Sequence, residues 1–331
     1  MEGLERQICN KKTGAFEGPE KRLEIILHSK QHRAWLNNDA AWERVVKAVG
    51  ASIISKISNK YINSYLLSES SLFVWNHRIL LITCGSTTPV MALPEILKII
   101  KKENISSIIY ERKKNSFSQK QTFGDDASYI AKFFKGETLR LGISGESYMD
   151  IFYSLCSASR AVRPRSLQLF MYNLDRSAMK IFYKKESKTP RQAACVLGID
   201  KLYPHAVTDA YLFSPYGYSI NGIMDNNYFT IHVTPQPEGS YASFDTSLIT
   251  KDSVLMIKKV LSIFKPEKYS LFLKTDLTKQ YMKFHSVITD AVQKINTGVS
   301  EDLIKLTSSD LGCAATFLYS GGEDPCKNKA S

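Results

Sequence analysis

The sequence predicts an α+β fold: a four-layer αββα sandwich of two antiparallel sheets flanked by helices, built from two similar halves. Two observations predict it. Short β-rich runs precede one or two helical segments, and this order occurs twice along the 331 residues. Residues 157–165 interrupt the pattern between the two occurrences and divide one domain, 1–331, into halves of about 1–160 and 161–331. The halves share no sequence identity, so the repeat rests on the order of patterns alone.

Residues 21–27 read as a strand, followed by a loop through Trp35 and Asn38. Trp42, Val45, Val46 and Val49 recur at helical spacing behind Asp39, which suits an N-cap. Residues 51–57, 61–67 and 72–83 are β-rich, the last with a turn at Asn76-His77. A helix over 90–101 tolerates Pro94 if it falls in the first turn. The polar stretch 101–121 holds a short strand, 105–110, between solvated loops. Asp126 starts a helix through Phe134, and strand pattern resumes at Leu139. In the second half, 167–174, 210–214, 228–234 and 241–246 read as strands. Asp252 caps a helix reaching Phe264, Pro266 stops it, and 269–274 is strand again. The polar tail 321–331 reads as frayed.

Composition bounds the function. Hydrophobic residues at 44% and charged residues at 23% exclude a disordered or collagen-like chain. The net charge of +12 favours acidic partners and says nothing of fold. Nucleic acid is one such partner, but only the charge and the basic cluster 101–120 support it, and no RNA- or DNA-binding motif accompanies them. Cys9, Cys84, Cys156, Cys195, Cys313 and Cys326 show no CxxC or CxxH spacing, so no metal site and a reduced compartment are expected. The N-terminus lacks an apolar signal region, and no window approaches the ~18 apolar residues of a membrane span. A cytosolic protein without membrane partners is the expectation.

Several segments could carry chemistry. In residues 66–73 three serines and a carboxylate, Ser68-Glu69-Ser70-Ser71, interrupt what should be a hairpin; a turn explains them, and a nucleophilic serine is the alternative. Cys84 ends a strand before Gly85, as a buried structural thiol or as an acid facing a cleft. Alternation over 228–234 puts Tyr228, Thr230, His232 and Thr234 on one face. His232 is there either a hydrogen-bonded structural residue or a general base. Residues 215–222, with Gly217, Ser219 and Gly222, read as a glycine-rich turn. Glu17 and Glu20, beside Phe16 and around Gly18-Pro19, read as exposed loop charge.

Taken together and in this order, the segments resemble eukaryotic S-adenosylmethionine decarboxylases, self-processing pyruvoyl enzymes of polyamine synthesis. The resemblance rests on Phe16-Glu17-Gly18-Pro19-Glu20-Lys21, Leu67-Ser68-Glu69-Ser70-Ser71-Leu72-Phe73-Val74, Thr83-Cys84-Gly85, Pro215-Tyr216-Gly217-Tyr218-Ser219-Ile220-Asn221 and Thr230-Ile231-His232-Val233-Thr234-Pro235. It implies a carboxy-lyase whose precursor cuts itself between Glu69 and Ser70 into a β chain, 1–69, and an α chain, 70–331. Ser70 would become the covalent pyruvoyl group that forms a Schiff base with S-adenosylmethionine, giving the aminopropyl donor for spermidine and spermine. Ser219 and His232 would serve the processing, and Cys84 would be the proton donor in turnover. Glu17 and Glu20 map onto acids the family needs, and Phe16 and Phe213 onto the pair that sandwiches adenine. Backbone groups of Glu69 would contact the purine edge.

Gln236 stands where the family usually has a ribose-binding glutamate, so a charge-assisted hydrogen bond is lost and weaker substrate binding is expected. The acidic cluster that binds putrescine in animal enzymes is altered. Pro164 and Gln168 replace two carboxylates and Ile82 a lysine, while Glu24 and Asp245 remain and Glu111 is a substitute acid. Little or no putrescine stimulation is expected. A second reading is a catalytically weak regulatory paralogue that pairs with an active subunit. Gln236 favours it; retention of Ser70, Cys84, Ser219 and His232 opposes it. Whether the chain forms a homodimer or joins such a paralogue stays open.

Overall fold

The computed structural model describes residues 20–28, 35–114, 121–142, 147–156, 165–184, 186, 189–236, 239–295, 306–308 and 314–320. Strands β1 (Lys21–Leu27), β2 (Ile53–Ser58), β3 (Ile62–Leu67), β4 (Ser70–Trp75), β5 (Arg78–Thr83), β6 (Ile105–Lys113), β7 (Glu137–Gly142) and β8 (Tyr148–Leu155) form one sheet. Its order is β2-β3-β4-β5-β1-β6-β8-β7. The second sheet comprises β9 (Ser166–Tyr172), β10 (Val207–Leu212), β11 (Tyr218–Met224), β12 (Asn227–Thr234), β13 (Tyr241–Thr246), β14 (Lys268–Thr275), β15 (Leu306–Ser308) and β16 (Ala314–Ser320). Its order, β10-β11-β12-β13-β9-β14-β16-β15, is that of the first with every strand number raised by eight. All pairings are antiparallel.

Period-two alternation sorts each strand between two cores. Leu23 and Ile25 of β1 pack against α1 (Asp39–Ala48), α2 (Leu93–Ile99) and α3 (Phe123–Ala131) through Trp42, Val45, Leu93, Ile96 and Ile130. The second sheet buries Leu169, Ile231 and Leu271 with Met179 of α4 (Arg176–Met179), Ala193 of α5 (Pro190–Leu197), Ile257 of α6 (Ser253–Phe264) and Ile288 of α7 (Lys279–Ile295). Each such Leu, Ile, Val or Met side chain contributes roughly 1.5–3 kcal/mol when fully buried. The opposite faces meet each other. Phe73, Trp75, Leu80, Ile82, Ile223 and Tyr228 form one apolar cluster there, and Ile109, Ile151, Phe170 and Phe272 another. Four layers result, helices outside and sheets inside.

Local details differ from the sequence reading. Asn38 rather than Asp39 caps α1, its side chain accepting from Ala41 N at 3.1 Å; Asp39 instead receives Lys56 and Tyr65. A 3-10 turn, Pro89–Ala92, precedes α2, so that helix starts at Leu93 with Pro94 in its first turn. Strand β6 continues to Lys113, and the basic stretch is not all solvated: Arg112 pairs with Asp126, and Lys113 is 3% exposed. Thr122 and Asp125 form a capping box that starts α3, and Asp126 lies buried inside it. Asp252 stands at the N-cap of α6 without a capping bond. Residues 218–224 are a strand, β11, and not a turn. Gly222 serves packing there, since a Cβ would lie 1.9 Å from the ring of Phe229. The tail 321–331 lies outside the described residues.

Candidate active site

A two-residue turn, Ser68-Glu69, joins β3 to β4, with Leu67 paired to Ser70. Ser68 is pinned to Ser52, its N–H donating to Ser52 O at 2.9 Å and its Oγ accepting from Ser52 N at 3.1 Å. Alternation along β4 places Phe73 and Trp75 between the sheets and Leu72 and Val74 in the helix-side core. Ser70 belongs by count with Leu72, yet its Oγ lies between the sheets. Its φ of 132° breaks the alternation, a conformation that costs an L-residue about 1–3 kcal/mol. Ser70 Oγ and Ser71 Oγ both lie 3.2 Å from His232 Nε2.

The second sheet supplies the groups opposite. Register pairs Ser219 with His232 and Asn221 with Thr230 across β11 and β12. Ser219 Oγ is 2.9 Å from His232 Nδ1, and Thr230 Oγ1 is 2.8 Å from Nε2. Burial pushes His232 down to about 3, so the ring is neutral near pH 7. Ser71 Oγ donates to Asn221 Oδ1 at 2.6 Å, whereas Ser70 makes its side-chain bond to His232.

Cys84 follows β5 and faces the turn. Its N–H donates to Glu69 O at 3.2 Å, and its Sγ lies 3.5 Å from that oxygen and 3.8 Å from Glu69 Oε2. Two donors therefore polarise the carbonyl that precedes Ser70. Lys21 holds the next turn, donating from Nζ to Gly85 O and Thr87 O at 2.7 Å each. Burial, with Arg112 nearby, pushes Lys21 down to about 8. Glu20 accepts from Ser243 and has Oε1 4.0 Å from His232 Nε2; burial pushes its carboxyl up to about 8.

The structure thus gathers Glu20, Glu69, Ser70, Cys84, Ser219 and His232. The Phe213 ring stands edge-on to Tyr211, with 4.9 Å between ring centroids. Gln236 borders a cavity of about 520 Å³ with Leu174, Arg176, Tyr183, Pro235 and Ser240; its Nε2 donates to Tyr216 at 3.4 Å, and its buried Oε1 has no hydrogen-bond partner among the described residues. Phe16 and Glu17 lie outside the described residues. Sequence reading missed Lys21, Ser71, Asn221 and Thr230. Period-two spacing from Ser219 and His232 would have reached Asn221 and Thr230.

Between the sheets lies a cluster of charges. Glu24 meets Arg22, Arg78 and Lys274; Glu111 meets Arg22 and Lys274; Asp245 meets Arg22 at 2.6 Å. Gln168 donates to Glu111 at 2.7 Å. Burial opposes the charge on Glu24, but Arg78, Lys274 and Arg22 outweigh it and hold the carboxyl down to about 2. Among the described residues three cations face three carboxylates, so this cluster is formally neutral. Among the described residues no His, Cys, Asp and Glu group is placed to hold a metal ion, and no helix is long and apolar enough to cross a membrane.

Comparison with known proteins gives a family and a fold. The adenosylmethionine decarboxylase family model matches residues 13–311. A Leishmania donovani S-adenosylmethionine decarboxylase proenzyme is 34% identical over 284 residues, covering 79% of this chain and 74% of that one. A Drosophila melanogaster S-adenosylmethionine decarboxylase proenzyme is 33% identical over 282 residues, covering 77% and 81%. In fold the chain is similar to a solved Trypanosoma brucei AdoMetDC-delta26 monomer, with a TM-score of 0.59 and 22% identity over 75% of this chain and 97% of that one.

Proposed function

The chain belongs to the adenosylmethionine decarboxylase family, and from that premise we propose that it is a precursor that cuts itself between Glu69 and Ser70 and then decarboxylates S-adenosylmethionine. One observation carries the reading: Ser70 leaves the alternation of its strand through a φ of 132° and brings Oγ to 3.2 Å from His232, while Cys84 N–H holds the adjoining carbonyl. The strained backbone raises the energy of the peptide to be broken.

Ser70 Oγ attacks the carbonyl carbon of Glu69. The new C–O bond replaces the C–N bond, and the hydroxyl proton passes to the released amine, leaving an ester. Negative charge on the Glu69 oxygen is met by Cys84 N–H, while Ser219 stands one ring away, on His232 Nδ1. His232 then takes the α-proton of Ser70, the Cβ–Oγ bond breaks, and Glu69 departs as a carboxylate. Water displaces ammonia from the resulting enamine and leaves a ketone at residue 70.

The site fits a ketone there: position 70 is buried, and the Cys84 thiol, beside the adjoining Glu69, is a small polar group that can donate a hydrogen bond. Such a group supplies an electron-accepting carbonyl for a substrate amine. Cys84, whose Sγ lies beside Glu69, would return a proton after carbon dioxide leaves. Gln236 would receive the ribose and Phe213 the adenine, with Phe16 and Glu17 in the roles their family motif gives. The product is the aminopropyl donor of polyamine synthesis. Release of carbon dioxide from carboxyl-labelled S-adenosylmethionine tests the reading. The expected result is turnover that Ser70→Ala abolishes; no release by the wild type would overturn it and favour the regulatory paralogue.

A further inference from the structure

Counting protons around His232 fixes its tautomer. Asn221 is fully buried on β11, and its Nδ2 donates to Tyr65 O at 3.2 Å, which leaves Oδ1 facing the other way. That oxygen accepts from Ser71 Oγ at 2.6 Å and from Thr230 Oγ1 at 2.9 Å. An amide oxygen carries no proton, so each hydroxyl commits its single proton to Asn221. The same two hydroxyl oxygens lie 3.2 and 2.8 Å from His232 Nε2. They can only accept there, and the ring proton must sit on Nε2. The ring is neutral, so Nδ1 is bare and accepts from Ser219 Oγ at 2.9 Å. Glu20 Oε1, at 4.0 Å from Nε2, is beyond hydrogen-bonding reach.

We propose that Asn221 is a positioning residue that, through Ser71 and Thr230, holds His232 as the Nε2–H tautomer in the uncut chain. The inference rests on the processing reading above and deepens it. The nitrogen that faces Ser70 is then a donor. Ser70 Oγ accepts from it, so the ring does not serve as the base of the acyl shift. Removal of the Ser70 α-proton needs the other tautomer, with Nδ1–H donating to Ser219. The change is proton-neutral, one proton leaving Nε2 and one arriving at Nδ1. Asn221 opposes it by keeping both neighbouring hydroxyls as acceptors, and elimination is thereby held back until the ester has formed. Thr230 and Asn221, which make no bond to Ser70, would set the order of the two steps.

The test uses the full-length Ser70→Ala chain, which cannot process, with its histidines labelled in nitrogen-15. The His232 signals are identified by their loss in His232→Asn. Nitrogen shifts are expected to show Nε2 protonated and Nδ1 bare, in about ten-fold excess or more, the ratio of a ~1.4 kcal/mol preference. Adding Asn221→Leu should release both hydroxyl protons and raise the Nδ1–H form at least several-fold. Adding Thr230→Val, which keeps the shape of the side chain, should raise it if Asn221→Leu does not fold. Ser219→Ala should leave Nε2–H in place. A predominant Nδ1–H form in the Ser70→Ala chain would overturn the proposal, as would an unchanged ratio in the folded variants. Wild-type cleavage is read separately: a chain that cuts itself but shows the opposite tautomer defeats only this inference. A chain that stays whole with Nε2–H defeats only the processing reading.

Discussion

The backbone N–H of Cys84 donates to the carbonyl oxygen of Glu69 at 3.2 Å, so the residue assigned to proton return in turnover also grips the carbonyl proposed for attack. The two roles use different atoms and can be separated. Cys84→Ala keeps the N–H and loses the thiol. Its self-cleavage should slow by no more than about ten-fold, while carbon dioxide release should fall by about 10²–10⁴-fold, the usual weight of a positioned acid. Gel and release assays on one preparation check this; equal losses in both would contradict it.

Gln236 Oε1 is buried beside the cavity and has no hydrogen-bond partner among the described residues. A carboxylate in its place would make charge-assisted bonds to ribose hydroxyls, roughly twice as strong as neutral ones. Gln236→Glu is therefore expected to lower KM several-fold with little change in kcat. Steady-state kinetics decide, and an unchanged KM would count against the assignment of Gln236 to the ribose.

Burial holds Glu20 at about 8 instead of the ordinary 4.5. Between those values the folded chain keeps a proton that the unfolded chain has released, so this contribution to stability is lost as pH rises through the window and is fully present below it. Glu20→Gln, placed in the uncleavable Ser70→Ala chain, keeps the neutral form at every pH. Its stability relative to Ser70→Ala should rise between about pH 5 and about pH 8, by at most ~1.4 kcal/mol per pH unit. His232, pushed down to about 3, acts in the opposite sense, losing stability as pH falls below its ordinary 6.5, and cancels in the comparison. Urea midpoints at the two pH values measure the difference. The same difference at both would contradict a neutral Glu20.

The charge cluster between the sheets already sets Arg22, Arg78 and Lys274 against Glu24, Glu111 and Asp245. A diamine finds no uncompensated carboxylate there among the described residues, and saturating putrescine should change kcat by less than about two-fold. Lys274→Ala leaves Glu24 and Glu111 short of a cation and should destabilise the fold by ~3–5 kcal/mol. Several-fold activation of the wild type by putrescine would contradict the neutral cluster.

Alternation made most strands legible, and it placed Thr230 and His232 on one face from residue order alone. It could not place Ser70, because a single φ of 132° overrides the count. The run 215–222 looked like a turn because of its glycines, though Gly222 is there to admit the ring of Phe229. Lys21, Arg22, Lys113 and Lys274 were indistinguishable from surface charge. Their partners come from other strands, as Lys274 and Glu24 show, and composition carries no record of such pairing. The motif residues of the site were visible through resemblance; Asn221, which organises their protons, lay in a run read as a turn, and its place opposite Thr230 follows from the pairing of β11 with β12.

The central claim is the cut between Glu69 and Ser70. Intact masses of the purified wild-type chain test it most directly. Two fragments are predicted, residues 1–69 ending in an ordinary carboxylate and residues 70–331 beginning with a pyruvoyl group, and Ser70→Ala should give one uncut mass. A single uncut wild-type mass, or a second fragment that begins with an intact serine, would contradict the account.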